Sequence, residues 1–132
     1  MEIRELYSIL PLKAELAHER RRKIDLIQQS ASICSTLTGM PRSGTVSSKV
    51  ETFAIRIHDT DKRIQYLEER IDQLESYIDD VDDDIVRAVM KLKFVDGYTY
   101  AMIALQIGGR NSKDSIKKML YRYIQKERLK SV

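Results

Sequence analysis

The stretch VETFAIRIHDTDKRIQYLEERIDQLESYIDDV, residues 50–81, carries Val50, Phe53, Ile57, Thr60, Ile64, Leu67, Ile71, Leu74, Ile78 and Val81 at alternating steps of three and four. On an α-helix that spacing gathers every one of these side chains into a single narrow stripe, the seam of a coiled coil. One register reads Val-Ile-Ile-Ile-Ile and the other Phe-Thr-Leu-Leu-Val, a β-branched and leucine mixture that in parallel coiled coils favours two strands. A helix over this stretch rises roughly 46 Å at 1.5 Å per residue. That is too long for a compact domain of this size, so the stripe must be covered by the preceding helix, by another copy, or by both. The expected fold class is all-α.

Upstream, TGMPRSGTVSS at 38–48 holds Pro41, two glycines and a run of Ser and Thr, which predicts the corner of a helical hairpin. In the helix before it, Ser8 is placed as the N-terminal cap, Pro11 is tolerated in the first turn, and Ile24, Ile27, Ala31 and Cys34 recur at helical steps. Downstream, DDVDDD at 79–84 ends the seam and supplies caps for the next helix; it lacks the glycine and the closing glutamate of a calcium loop. Three shorter helices follow. IVRAVMKLKFVDG puts Ile85, Ala88, Val89, Leu92 and Val95 on one face with Gly97 as terminator. Thr99 caps YAMIALQI, with Met102, Ile103 and Ile107 as its apolar stripe and Ala104 allowing close approach. Asn111 or Ser112 caps a last helix whose inward face is Ile116, Leu120, Tyr123 and Ile124. The expected organisation is a hairpin stem over 1–81 and a three-helix, helix-turn-helix module over 82–132.

Charge divides near the same line, just past the aspartate run. Residues 1–84 hold 12 Lys/Arg against 17 Asp/Glu, a balance of −5, whereas 85–132 hold 11 against 3, a balance of +8. A basic module on an acidic stem points to a polyanion gripped at one end. A single cysteine, Cys34, excludes an intrachain disulfide and fits a reducing compartment. MEIRELYSIL has no signal-peptide core and no run of 18 apolar residues occurs, so a cytoplasmic protein without membrane contact is expected.

The last helix concentrates the cations. Lys113, Lys117, Lys118, Arg122 and Lys126 lie on the side away from its apolar face, and the segment 110–130 has eight cations against Asp114 and Glu127. Such a helix neutralises phosphates with its long side chains while its first turns reach base edges in the major groove. The residues expected to meet double-stranded DNA are Lys113, Ser115, Lys117 and Lys118 in the groove and Arg110, Arg122 and Lys126 on the backbone. Thr99, with the N–H groups around it, is expected to hold one phosphate at a helix N-terminus.

The same residues carry a resemblance. GYTYAMIALQIGG…SIKKMLYRYI resembles the fourth region of bacterial sigma factors, with Thr99, Ile103, Ala104, Ser112, Ser115, Ile116, Leu120 and Arg122 at the recurring positions. The whole chain is similar to small phage-encoded proteins of the RinA/ArpU-like group, through MPRSGT at 40–45 and LKFVDGYTYAMIA at 92–104. The resemblance implies a helix-turn-helix regulator of phage transcription, with host RNA polymerase a further partner. Two departures stand out: Gly108 lies eight residues before Ile116, where the usual turn gives six, and Lys93-Phe94 replaces Arg-Tyr.

Other chemistry is poorly supplied. PRSGTVSS lacks the GK[ST] ending of a phosphate-binding loop, although Arg42 is a candidate partner contact; His18 and His58 have no ligand spacing around them. ERRRK at 19–23 reads as a solvated helix face. No acid/base pair or nucleophile set is present, so no enzyme, cofactor or metal is expected. The functional expectation is sequence-specific binding of double-stranded DNA by a homo-oligomer, a dimer favoured, assembled through the stem. The rival readings are a ring-forming DNA-packaging recognition subunit and a helical adaptor or inhibitor whose basic end binds an acidic protein.

Overall fold

A computed structural model describes residues 1–36 and 43–130, with side chains described outside 34–47. The described residues are all-α: α1 (Ile3–Tyr7), α2 (Ile9–Thr36), α3 (Ser43–Asp79), α4 (Asp84–Met90) continued by a π-helical turn (Lys91–Val95), α5 (Tyr100–Ile107) and α6 (Lys113–Lys130). The hairpin corner expected at 38–48 is shorter than the sequence reading, because α3 already runs from Ser43. Only Gly44 is a poor helix former in that first turn, and the cost of about 1 kcal/mol is small beside a helix of this length. Pro41 and Arg42 lie outside the described residues, as does the side chain of Cys34.

The chain forms two compact units, one of Lys13–Glu69 and one of Met1–Leu12 with Arg70–Val132. In the first, α2 and α3 run side by side. Glu15 pairs with Arg63 at 2.6 Å, Arg20 with Glu68 at 3.0 Å and Lys23 with Asp61 at 2.6 Å. These exposed pairs set register more than stability. The apolar seam lies inside them. Thr60 and Leu67 of α3 are buried, while Phe53, Ile57 and Ile64 are half-buried. Thr60 is accommodated because its hydroxyl donates to the Arg56 carbonyl at 2.8 Å, the bond open to a buried threonine in a helix.

The inward face of α2 corrects the sequence reading. Beyond Ile9, Leu16 and Leu26 are its buried residues, whereas Ile24 is 54% and Ile27 46% exposed. The covered stripe runs through Leu16, Glu19, Lys23, Leu26, Ser30 and Ile33, and its polar members obscure it as a pattern. Lys23 and Glu19 lie along it half-buried, their aliphatic stems covering apolar surface.

The second unit packs one core from Leu6, Ile9, Leu74, Ile78, Val81, Val86, Val89, Met90, Phe94, Ile103, Ala104, Ile116, Leu120 and Ile124. It takes in residues 1–12 and 70–81 beside the module read from the sequence as 82–132. The N-terminus enters this core because α1 and α2 break at Ser8. Pro11 has no N–H for the Tyr7 carbonyl, and its ring crowds that carbonyl, so the helix cannot pass unbroken. Ser8 consequently does not cap α2: its hydroxyl turns back to donate to the Glu5 carbonyl. Glu5 itself accepts from the Glu2 N–H at 3.1 Å and pairs with Arg70 at 3.4 Å. Its carboxyl is held below the usual range, first by the Glu2 backbone and then by Arg70.

Asp83 caps α4 as the aspartate run predicts, accepting from the N–H groups of Ile85 at 3.0 Å and Val86 at 3.2 Å. The face of α4 is rotated from the expected one. Val86, Val89, Met90 and Phe94 are buried, Ile85 is 51% exposed, and Ala88 is exposed. Beyond Met90 the turn over 91–95 is widened. Asp96 N–H reaches back to Lys91 O and Tyr98 N–H to Leu92 O, each at 3.0 Å. Val86, Met90 and Phe94 are spaced by four, the ordinary same-face step of a helix, and Leu92 and Val95 are half-buried against the same core. Gly97, at φ +79°, then ends the helix as expected.

Candidate nucleic-acid interface

The three elements that frame the candidate surface are set by their ends. Thr99, in extended conformation, accepts the Met102 N–H at 3.3 Å and starts α5. Ile103 and Ala104 face the core, while Met102, expected on the apolar stripe, is 47% exposed. The short α5 cannot bury both flanks of Ile103, and the one facing Ala104 and Ile107 is the side that meets α6. Gly108 and Gly109, at φ +74° and +70°, turn the chain, and Asn111 fastens the turn by donating its side-chain N–H to the Gly108 carbonyl at 3.2 Å. Ser112 then caps α6 reciprocally with Ser115. The Ser115 N–H donates to Ser112 Oγ at 3.2 Å and the Ser112 N–H to Ser115 Oγ at 2.9 Å.

Along α6, Ile116, Leu120 and Ile124 are buried and Tyr123 is half-buried, so the inward face is the one the sequence predicts. Lys113, Lys117, Lys118, Arg122 and Lys126 are all exposed, as is Arg110 in the preceding turn. None of these six is in an ion pair among the described residues. They do not form one file. At about 100° per residue, Lys118, Arg122 and Lys126 follow one edge of the solvent face and Lys113 and Lys117 the other. Asp114, Tyr121 and Gln125 lie between the two rows, with the Lys117 ammonium 5.9 Å from the Tyr121 ring centroid. Asp114, Lys117, Lys118 and Tyr121 together line a shallow concavity.

The two rows have different surroundings. The Lys118–Arg122–Lys126 row borders a shallow groove shared with Asp83 and Tyr123. Burial raises the Tyr123 phenol, and the charges of Glu127 and Asp82 raise it further. The acidic connection between α3 and α4 therefore lies beside this row. Lys113 instead flanks α5, in a depression with Ala101, Leu105 and Gly108. Of the groove candidates, Ser115 has its hydroxyl committed to the cap and to the Ser112 carbonyl at 2.9 Å. Thr99 Oγ1 is likewise engaged by α5, leaving the N–H groups of Tyr100 and Ala101 as the outward donors of that turn.

Sequence reasoning missed two neighbours of this surface. Leu105, 83% exposed, makes the outer face of α5 apolar with Ala101 and Met102. Lys93 sits with its ammonium 4.4 Å from the Tyr100 ring centroid and 5.9 Å from that of Tyr7. Tyr7 and Tyr100 were not singled out because nothing in their spacing links them; they meet only in the fold.

No group of three or more His, Cys, Asp or Glu is placed to hold a metal among the described residues. His18 and His58 are both exposed. No helix among the described residues is long and apolar enough to cross a membrane. Comparison with protein-family models, with curated proteins and with solved structures finds no match to this chain.

Proposed function

We propose that the chain binds double-stranded DNA through α6, entering the major groove with Lys113, Lys117 and Lys118 while Arg110, Arg122 and Lys126 hold the phosphate backbone. The observation that carries this reading is the set of six exposed cations on α6 and its leading turn, free of ion pairs among the described residues, on a helix whose opposite face is fixed in the core. Cations that serve only solubility are interspersed with acids, as they are along α2 and α3. Here they are left available for phosphate. The first turn of α5 offers outward N–H groups for a further phosphate, with Thr99 shaping that turn. The likeness to sigma-region-4-like phage regulators extends the proposal to transcriptional control by an oligomer in a bacterial cell, a dimer reading two half-sites and host RNA polymerase a candidate contact.

Selection of bound fragments from a random DNA pool by the full chain tests this. An enriched motif recovered by the native chain but not by Lys117→Glu/Lys118→Glu supports sequence reading, and recovery of no motif contradicts it. One observation favours a second reading, an acidic protein partner: the apolar outer face of α5, with Leu105 83% exposed beside Lys113. In that case Leu105→Lys abolishes partner binding and leaves DNA retention unchanged.

A further inference from the structure

The two cation rows of α6 differ in how far they run. Lys118, Arg122 and Lys126 carry charge along the whole of one edge. On the other edge Lys113 and Lys117 give way to Tyr121 and Ile124, and the helix returns a cation to that side only at Arg128, eleven residues past Lys117. The gap is filled from the other end of the chain. Arg4 of α1 lines an open groove with Tyr121, Gln125 and Arg128, all within one compact unit. Arg4 is exposed and in no ion pair among the described residues. Arg128 pairs with Glu2 at 3.8 Å, and both side chains are largely exposed, at 68% and 60%. Glu2 is the one acid among the described residues lining the groove.

A helix is about as wide as the major groove, roughly 10–12 Å against about 12 Å, so one lying in it has a phosphate backbone against each edge, one from each strand. Beyond the first turns of α6, the backbone contacts proposed above, Arg122 and Lys126, lie on a single edge and grip a single strand. We infer that Arg4 and Arg128 hold the phosphates of the other strand, and that Glu2 occupies Arg128 until the DNA displaces it. An exposed ion pair is weak and screened by salt. A phosphate instead meets a planar guanidinium through two parallel charge-assisted hydrogen bonds, so the polyanion takes Arg128 from Glu2. Arg4 is presented from a fixed helix: Leu6, one half-turn on, is fully buried, and the Tyr7 hydroxyl bonds that of Tyr100 at 2.8 Å. The inference rests on the proposed DNA reading and adds to it a grip on the second strand and a resident competitor for that grip.

The test is binding of the full chain to a DNA duplex by fluorescence anisotropy over a range of salt concentrations. Arg4→Ala and Arg128→Ala are each expected to reduce the slope of log K against log salt by about 1, and to weaken binding to a selected site and to an unrelated duplex equally, as loss of a backbone contact does. Arg4→Lys, which restores the charge, is expected to restore the slope. Glu2→Gln removes the competitor and is expected to tighten binding by up to about fivefold, the worth of an exposed ion pair. Unchanged helicity by circular dichroism separates these effects from unfolding. A native slope near zero overturns the DNA reading and this inference together. A steep native slope unmoved by Arg4→Ala and Arg128→Ala overturns the inference alone, and Glu2→Gln binding no tighter than the native chain overturns the exchange at Arg128.

Discussion

The hydroxyls of Tyr7 and Tyr100 lie 2.8 Å apart across 93 positions of sequence. Around that bond, the Phe94 ring meets Tyr7 edge-on at 5.0 Å, and the Lys93 ammonium stands over Tyr100. The N-terminal helix is thereby tied to the start of α5, the element that would present a phosphate-binding turn, and residues 1–12 belong to the same compact unit as the basic helix.

The bond gives a pH prediction. Burial first, and the Tyr7 hydroxyl second, raise the Tyr100 phenol well above the ordinary tyrosine range. A folded pKa above the unfolded value favours the neutral phenol, so this contribution is complete below about pH 10 and is lost as pH rises beyond it. In urea titrations the native chain should lose stability above pH 10 more steeply than Tyr100→Phe. Near neutrality Tyr100→Phe should cost about 0.5–1.5 kcal/mol, the worth of one hydrogen bond. Equal pH slopes for the two proteins would remove Tyr100 from the account.

Core and surface substitutions separate cleanly on α5 and α6. Leu120 is fully buried, and Leu120→Ala should cost about 2–5 kcal/mol through lost burial and the cavity left behind. Leu105→Ala, at 83% exposure, should change stability by less than about 0.5 kcal/mol. Chemical denaturation of the two variants checks both, and a comparable loss in each would mean that the face of α5 is misassigned.

Much of this was legible in the chain and some was not, for identifiable reasons. The seam on α3 and the inward face of α6 could be read because their apolar positions are nearly uninterrupted. On α2 the covered stripe is diluted by Glu19, Lys23 and Ser30, so periodicity points to the cleaner but exposed Ile24, Ile27 and Ala31. On α4 two neighbouring faces both read as apolar, and the buried one is Val86, Val89, Met90 and Phe94, while Ile85 is half exposed. The basic character of α6 was evident from composition. Its division into two rows follows from helix geometry, and the acidic flank on the Lys126 side arises from the fold.

Gly97 tests the widened turn over 91–95. It sits at φ +79°, and a Cβ there would come 3.2 Å from Leu10 Cδ1. Gly97→Ala should cost about 1–2 kcal/mol, mainly for placing an L-residue in the left-handed region. Thermal melts read the effect directly, and a neutral result would indicate that the turn relaxes.

The reciprocal cap makes a further distinction. Ser112→Ala and Ser115→Ala should each lower stability by about 1 kcal/mol. Because the Ser115 hydroxyl is committed to that cap, the two variants should lose similar DNA affinity. A much larger loss for Ser115→Ala would assign its hydroxyl to a base edge instead.

The salt dependence of binding to a DNA duplex bears most directly on the central claim, that the outward face of α6 meets phosphate. Neutralising about five phosphates predicts a slope of log K against log salt of roughly −4 to −5, reduced in magnitude by about 2 in Arg122→Ala/Lys126→Ala. A slope near zero for the native chain, or one unmoved by those substitutions, would contradict it.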